Sequence, residues 1–452
     1  MSEKYDVAVI GSGSGGSEAA FLAAEKGFSA ILIEKDAIGG TRFHRGCFAV
    51  RALHASSRAY LQIAKSRKFG IQSEVLRSSL VDWMKAQRAA STRLSEELRH
   101  GLEKLNVRIA AGRGSLIGEH QVQITDSYDR VENIEAKYII LATGSRPDYF
   151  GSERSRFLNS DDLIARIDPP EHLFIIGGGY VGCEFASIYR ALGCRVTLAE
   201  QRDRLLPDWD ASVGERVTAE LSAKGIELQL GRKLDVTKVP IEDGYPIISQ
   251  PDGEEISPDL VLVATGRRPN VESLGLENLG ITANPYVEVD AQLKTKHAHI
   301  FAIGDVNGLN MLDSSASAQA RIAIDAICGG EKLFSSRWVP RYLDTDPPVA
   351  AVGWMEADAN EADFEAKSET VKLVTSEDST VAEPSNTEVK LIVERRTKKI
   401  RGCVIIGHGA AEVINLAALA IQSDVTTGDL ERLLLVHPSV SLALQRCAAK
   451  FR

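Results

Sequence analysis

The chain has 452 residues, a length that accommodates about three domains at roughly 150 residues each. Apolar residues make up 44% and charged residues 25%, which excludes disorder throughout. Lys+Arg 53 against Asp+Glu 62 leaves a net charge of −9, and that argues against general nucleic-acid binding or a basic membrane-surface role.

The first residues, MSEKYDVAVIG, enter a strand at once, so neither a signal nor a transit peptide is expected and the cytoplasm is the expected location. No apolar run approaches the roughly 18 residues of a membrane helix. Cys47, Cys183, Cys194, Cys328, Cys403 and Cys447 contain no CxxC or CxxxxC pair. A disulfide scaffold and a zinc cluster are therefore not expected, and no metal is assigned.

Residues 7–20, VAVIGSGSGGSEAA, read as strand, Gly-rich turn and helix. Gly11 makes the tight turn, Gly13 lets a pyrophosphate approach the backbone, and Gly16 lets helix and strand pack closely. Glu34 ends the following strand, ILIEK, where it can accept from a ribose hydroxyl. Residues about 79–105 show helical periodicity with many charges, consistent with a long surface helix. The strand YIILATGSRP (138–147) ends in small residues, including Thr143 and Gly144, that let a dinucleotide pass close by.

Residues 173–186, LFIIGGGYVGCEFA, repeat the opening motif at an offset of 166, aligning Gly177, Gly179, Gly182 and Glu200 with Gly11, Gly13, Gly16 and Glu34. LVLVATGRRP (260–269), with Gly266, repeats 138–147 at an offset of 122. Two strand–turn–helix copies, each with its acid at the same spacing, imply two dinucleotide sites. HIFAIGD ends an apolar strand on Asp305, and after about residue 335 a separate α+β segment begins.

The order GxGxxG, GGTxxxxGC, ATG, GGGYVGxEFA, ATGRRPN, AIGD, TDPxVAxVG and a late His-Pro resembles the pyridine nucleotide-disulfide oxidoreductase family, which includes dihydrolipoamide dehydrogenase, glutathione reductase and mercuric reductase. The resemblance spans nearly the whole chain. It implies an α/β fold of two Rossmann-like dinucleotide-binding domains and a C-terminal α+β dimerisation domain. The FAD-binding part would be split over 1–149 and 270–335, the NAD(P)-binding part would be 150–269, and the interface domain 336–452. A homodimer is implied, with one FAD per subunit held by the first turn, Glu34, Gly40, Thr41 and Asp305. The second turn would hold the nicotinamide nucleotide. An acid at Glu200 favours NAD over NADP by repelling a 2′-phosphate, although Arg202 and Arg204 partly offset it. Tyr180 stands where some members have an aromatic residue gating the nicotinamide pocket.

The departures from the family pattern concern the redox centre. Where the family reads GGTCxxxxC, this chain reads Gly39-Gly40-Thr41-Arg42-Phe43-His44-Arg45-Gly46-Cys47. Arg42 replaces the first cysteine and only Cys47 remains. Disulfide exchange needs a second thiol. The family lysine is Arg51, which the resemblance would pair with Glu184. The family's HPTxxE becomes His437-Pro438-Ser439-Val440-Ser441-Leu442, and Leu442 cannot orient His437 as an acid–base group.

Both losses serve dithiol–disulfide exchange, while the dinucleotide motifs are intact. The leading expectation is a diaphorase, in which NADH reduces FAD and electrons pass to a quinone-like acceptor. Arg42, His44, Arg45 and Arg51 would form a basic cluster that suits an anionic acceptor or the stabilisation of reduced flavin. A second expectation uses Cys47 alone against peroxide, persulfide or a mixed disulfide. A third is a non-catalytic nucleotide-binding subunit. A dihydrolipoamide dehydrogenase proper is least expected, and mercuric reductase is disfavoured because Cys447 has no nearby partner in the sequence.

Overall fold

The computed structural model describes residues 3–72, 79–148, 156–359, 364–373, 387–437 and 439–452. The chain divides into two compact units.

The first unit comprises Met1–Ala52, Met84–Asp148 and Gly266–Ser336. Its sheet begins with four parallel strands in the order Arg108–Ala111, Ala30–Glu34, Glu3–Ile10 and Val131–Leu141. The long last strand serves two neighbours: Gln121–Thr125 pairs antiparallel along its first half, and Ile300–Ala302 pairs parallel along its end. Strand alternation divides the core. Ala8 and Ile10 pack with Leu116, Val122 and Ile134 on one face. Val7 and Val9 face Ala19, Ala23, Ala320 and Ile324 of the helices on the other. Covering both faces suits a parallel sheet. Helices Ser14–Glu25 and Asp313–Ile327 meet through small residues, among them Ala20, Ala23, Ala320 and Ala323, which let the backbones lie close. The expected surface helix spans Leu80–Lys104.

The second unit comprises Leu53–Trp83, Tyr149–Thr265 and Arg337–Arg452. It carries a parallel sheet in the order Glu227–Gln229, Arg195–Ala199, His172–Ile176, Leu260–Val263 and Phe157–Leu158. It also carries an antiparallel sheet in the order Arg341–Leu343, Val349–Gly353, Ile400–Ile406, Thr387–Glu394 and Ala366–Leu373. Helices Ala410–Gln422 and Leu442–Ala448 bury Val413, Ile414, Leu444 and Cys447 against Val389, Leu391, Cys403 and Ile405 of that sheet. Among the described residues, no helix is long and apolar enough to cross a membrane.

Candidate functional site

The two Gly-rich turns are built alike, bond for bond. Gly11 N–H donates to Ile33 O at 2.8 Å, and Gly177 N–H donates to Ala199 O at 2.8 Å. Gly11 and Gly177 have φ of +104° and +112°, and a Cβ on either would lie 2.3 Å from Ala142 O or 2.5 Å from Ala264 O. A Cβ on Gly16 or Gly182 would sit 1.8 or 1.9 Å from the carbonyl of Gly11 or Gly177. Gly13 and Gly179 are different, because nothing lies within 4 Å of a Cβ built on them. The first and third glycines are thus required by the fold, while the middle one borders open space.

Each acid at the end of the second strand braces its own turn. Glu34 accepts the Ser12 N–H at 2.8 Å and the Asp36 N–H at 2.9 Å. Glu200 accepts the Gly178 N–H at 2.6 Å and the Arg202 N–H at 2.8 Å. Helices Ser14–Glu25 and Tyr180–Ala191 begin at Gly13 and Gly179 without a side-chain cap. Their first backbone N–H groups and dipoles are available to an anion.

The Ala-Thr-Gly segments meet in a two-stranded ribbon of Ser145–Pro147 and Arg267–Pro269. Thr143 donates to Asn270 O at 2.7 Å, and Asn270 Nδ2 returns a bond to Thr143 O at 2.8 Å. Gly144 and Gly266 have positive φ and open space where a Cβ would stand. Asp305 accepts the Ser145 hydroxyl at 2.5 Å, and Arg267 Nε donates to the same Ser145 oxygen at 2.7 Å. Burial pushes the Asp305 carboxyl above its ordinary value.

The segment between the glycines and Cys47 forms one five-residue helix, Gly40–His44. Gly39 is left-handed at φ +92° and lies against the Phe43 ring. Gly40 approaches Gly13 so that its Cβ would come within 3.3 Å. Thr41 O accepts the Arg45 N–H at 3.0 Å. Ser91 and Ser95, on Leu80–Lys104, donate to Phe43 O and Ile38 O at 2.6 and 2.7 Å.

The structure gives partners to three of the four residues of the expected basic cluster. Arg42 turns to Asp313 at 3.4 Å, Arg45 to Asp36 at 3.4 Å, and His44 Nε2 to the carbonyl of Ile38 at 3.1 Å. Cys47 is the exposed first residue of helix Cys47–Ala64, and Arg51 follows one turn on, also exposed. Cys183, Cys194, Cys328, Cys403 and Cys447 are free thiols.

In the second unit, Glu184 accepts the Asp344 N–H at 3.0 Å. His437 is exposed beyond helix Thr427–Arg432, while Pro438 lies outside the described residues. Tyr180, the first residue of its helix, lies against Trp209 with the rings tilted by 53° and their centroids 5.3 Å apart. Sequence reasoning missed Asp313, Arg267 and Trp209. Arg267 carries a signal in the basic residue after ATG. Asp313 and Trp209 carry none, because their partners are distant in the chain.

Residues 5–325 match the family model described as pyridine nucleotide-disulphide oxidoreductase. The chain belongs to that family. Residues 339–448 match its dimerisation domain. The chain is 30% identical to a dihydrolipoyl dehydrogenase of Bacillus subtilis, covering 99% of this chain and 98% of the relative. It is 32% identical to one of Chlorobaculum parvum, covering 99% and 97%. Among solved structures, LpdA from Mycobacterium tuberculosis matches at a TM-score of 0.92 and 26% identity over 100% of both chains. The Cu(II) complex of RclA, a HOCl-induced flavoprotein disulfide reductase of Escherichia coli, matches at 0.87 and 24% over 100% of both, a likeness of fold.

Members of this family are FAD- and NAD(P)-dependent oxidoreductases, FAD and NAD(H) are consistent with this chain's relatives, and the residues present fit both groups. The spaces beside Gly13, Gly144, Gly179 and Gly266 are ones a side chain would fill, and uncapped helix N-termini face two of them.

Proposed function

We propose that the chain is an NADH-dependent diaphorase acting as a homodimer. One NADH and one proton reduce one quinone-like acceptor to its two-electron product, with no protein disulfide in the path. FAD, when bound, supplies the hydride-accepting and electron-passing chemistry.

The observation that carries this reading is Arg42. It stands where the family has its first redox cysteine, and it is held there by Asp313 at 3.4 Å. Of the other thiols, Cys183, Cys194, Cys403 and Cys447 are buried and Cys328 is exposed at the end of helix Asp313–Ile327, and none stands at CxxxxC spacing from Cys47. In this reading the chain's residues bind and orient. The first turn, with Gly11, Gly13, Gly16, Glu34, Gly40, Thr41, Thr143, Gly144 and Asp305, holds FAD. The second, with Gly177, Gly179, Tyr180, Gly182, Glu200 and Gly266, holds NADH. Arg51 supplies a cation and Glu184 a carboxylate for the chemistry. His437 supplies or takes a proton without an orienting acid.

A second reading rests on Cys47, exposed at the first residue of an 18-residue helix. There a lone thiol would be oxidised by a peroxide to a sulfenic acid, releasing water, and then reduced by two electrons and two protons. An anaerobic NADH titration, followed by flavin absorbance, separates the two. Uptake of about two electrons per subunit supports the diaphorase. Uptake of about four sinks it in favour of a second thiol-based centre. Cys47→Ser should leave quinone turnover intact in the first case and abolish turnover in the second.

A further inference from the structure

In the second unit a buried carboxylate stands on the residue that holds Glu184, and it carries its own cation. Strand Arg341–Leu343 makes its last ladder pair between Leu343 and Val349, so the N–H of Asp344 lies past the sheet. It donates instead to Glu184 Oε1 at 3.0 Å. Glu184 is one turn on from Tyr180 in helix Tyr180–Ala191, which the second Gly-rich turn opens, so the two side chains share a face. The backbone at residue 344 therefore holds a side chain of the second dinucleotide helix.

The Asp344 side chain opposes that bond. It is a carboxylate only 2% exposed, and where water is excluded a second anion repels Glu184 with little screening. Arg58, on helix Cys47–Ala64, cancels it. Arg58 Nη1 donates to Asp344 Oδ1, and the Tyr342 hydroxyl donates to the same oxygen at 3.1 Å. Arg58 also bonds the Tyr342 hydroxyl. A guanidinium only donates, so the Tyr342 proton is left to point at Asp344. The three side chains thus close a triangle in which every proton has one direction. A buried ion pair is weak evidence for stability, because apolar packing of the same volume often does as well. The triangle is better explained by what it keeps in place.

We propose that Asp344 and Arg58 are positioning residues for Glu184. The Asp344 amide holds the Glu184 carboxylate, and Arg58 removes the repulsion that the Asp344 carboxylate would otherwise exert on it. This rests on the reading that the second turn takes NADH and that Glu184 serves the reaction. A charge assists reacting atoms without reorganisation cost only when it is fixed beforehand. Arg58 therefore sets how fast bound NADH gives up its electrons. The groups that bind the nucleotide, Gly177, Gly179 and Glu200, are left as they are.

The test uses the FAD-loaded protein and two measurements: NAD⁺ affinity by equilibrium dialysis, and the limiting rate at which excess NADH bleaches the flavin without oxygen. Retained flavin and an unchanged melting transition serve as folding controls. The Arg58 side chain is 43% exposed, so its replacement opens no buried cavity. Arg58→Met should lower the limiting rate about tenfold, with NAD⁺ affinity within about twofold. Adding Asp344→Asn, which removes the second anion and keeps the amide, should recover most of that rate. In a Glu184→Gln background, itself slow, Arg58→Met should cost nothing more, because the carboxylate it protects is gone. A general loosening would persist in both double variants. If Arg58→Met fails the folding controls, Arg58→Gln replaces it with the same expectations. A wild-type rate in the Arg58 variant or in Glu184→Gln, no recovery with Asp344→Asn, or a further loss in the Glu184→Gln background overturns the proposal. If that happens while NADH reduces the wild-type flavin, the positioning role alone fails. If the wild type neither binds NAD⁺ nor takes electrons from NADH, both readings fail.

Discussion

Arg42 Nε lies 3.4 Å from Asp313 Oδ1, and the same carboxylate accepts the hydroxyl of Ser14 at the start of the first dinucleotide helix. The pair places an acid at a helix N-terminus that should receive a pyrophosphate. Arg42 is what balances that acid. Arg42→Ala should weaken FAD binding to the apoprotein. The pair is about one-third exposed on each side, so solvent screening limits it to roughly 1 kcal/mol, or about fivefold. Asp313→Asn in the Arg42→Ala background should recover most of the loss. Flavin fluorescence quenching measures both, and an Arg42→Ala affinity equal to wild type would remove Arg42 from cofactor binding.

The middle glycines separate cofactor binding from folding. A Cβ on Gly13 or Gly179 meets nothing within 4 Å, and both residues have ordinary negative φ. Gly13→Ala should melt within about 1 kcal/mol of wild type yet purify without yellow colour. Gly179→Ala should purify yellow but resist reduction by NADH. By contrast, Gly16→Ala and Gly182→Ala drive a methyl to 1.8 and 1.9 Å from a backbone carbonyl, and should fail to fold stably. A yellow Gly13→Ala protein with unchanged FAD affinity would contradict the assignment of the first turn.

Lys390 is buried between two acids. Its ammonium lies 3.0 Å from Asp210 and also pairs with Glu356, and Asp210 further accepts the Glu356 N–H at 3.2 Å. Lys390→Met leaves the Asp210 carboxylate, 2% exposed, without its cation. Such a change costs about 3–5 kcal/mol. Despite burial, hydrogen bonds from Ser212 and Lys390 hold the Asp210 carboxyl below its ordinary value. Its contribution is present above the unfolded carboxylate value and fades as pH falls through the lower folded one. The gap between wild type and Lys390→Met in urea melts should therefore narrow on acidification below about pH 4.

His54 should give the second unit an acid-sensitive step. It is 4% exposed, its Nε2 has no hydrogen-bond partner, and burial pushes its value down to about 4. The Asp344 carboxylate opposes that shift and the Arg58 guanidinium adds to it. The unfolded chain takes up a proton near pH 6.5 while the folded chain does not. Stability is therefore complete above about 6.5 and falls as pH drops towards 4, by up to about 3 kcal/mol. His54→Leu should flatten the melting temperature over that window. An unchanged slope would mean that another group is responsible.

Much of the candidate site was legible because it is local. The spacing of Gly11, Gly13 and Gly16, and of their copies 166 residues on, follows from how closely a strand, a turn and a helix must approach. Any sequence with that spacing and an acid such as Glu34 or Glu200 at the end of the next strand announces the same turn. The substitution of Arg42 for a cysteine was equally visible, because it is a change of residue type within a motif.

The amino-acid sequence by itself determined the two dinucleotide turns and the absence of a CxxxxC pair, which depend on neighbours within a few dozen residues, and the doubled architecture, which follows from comparing two such local motifs 166 residues apart. Only the tertiary structure decided what Arg42, Tyr180 and Asp210 touch. Their partners, Asp313, Trp209 and Lys390, lie from 29 to 271 positions away in the chain. Periodicity and motif spacing report which face of an element is buried. They carry no information about which distant side chain packs there, and that is settled only when helices and sheets close on one another.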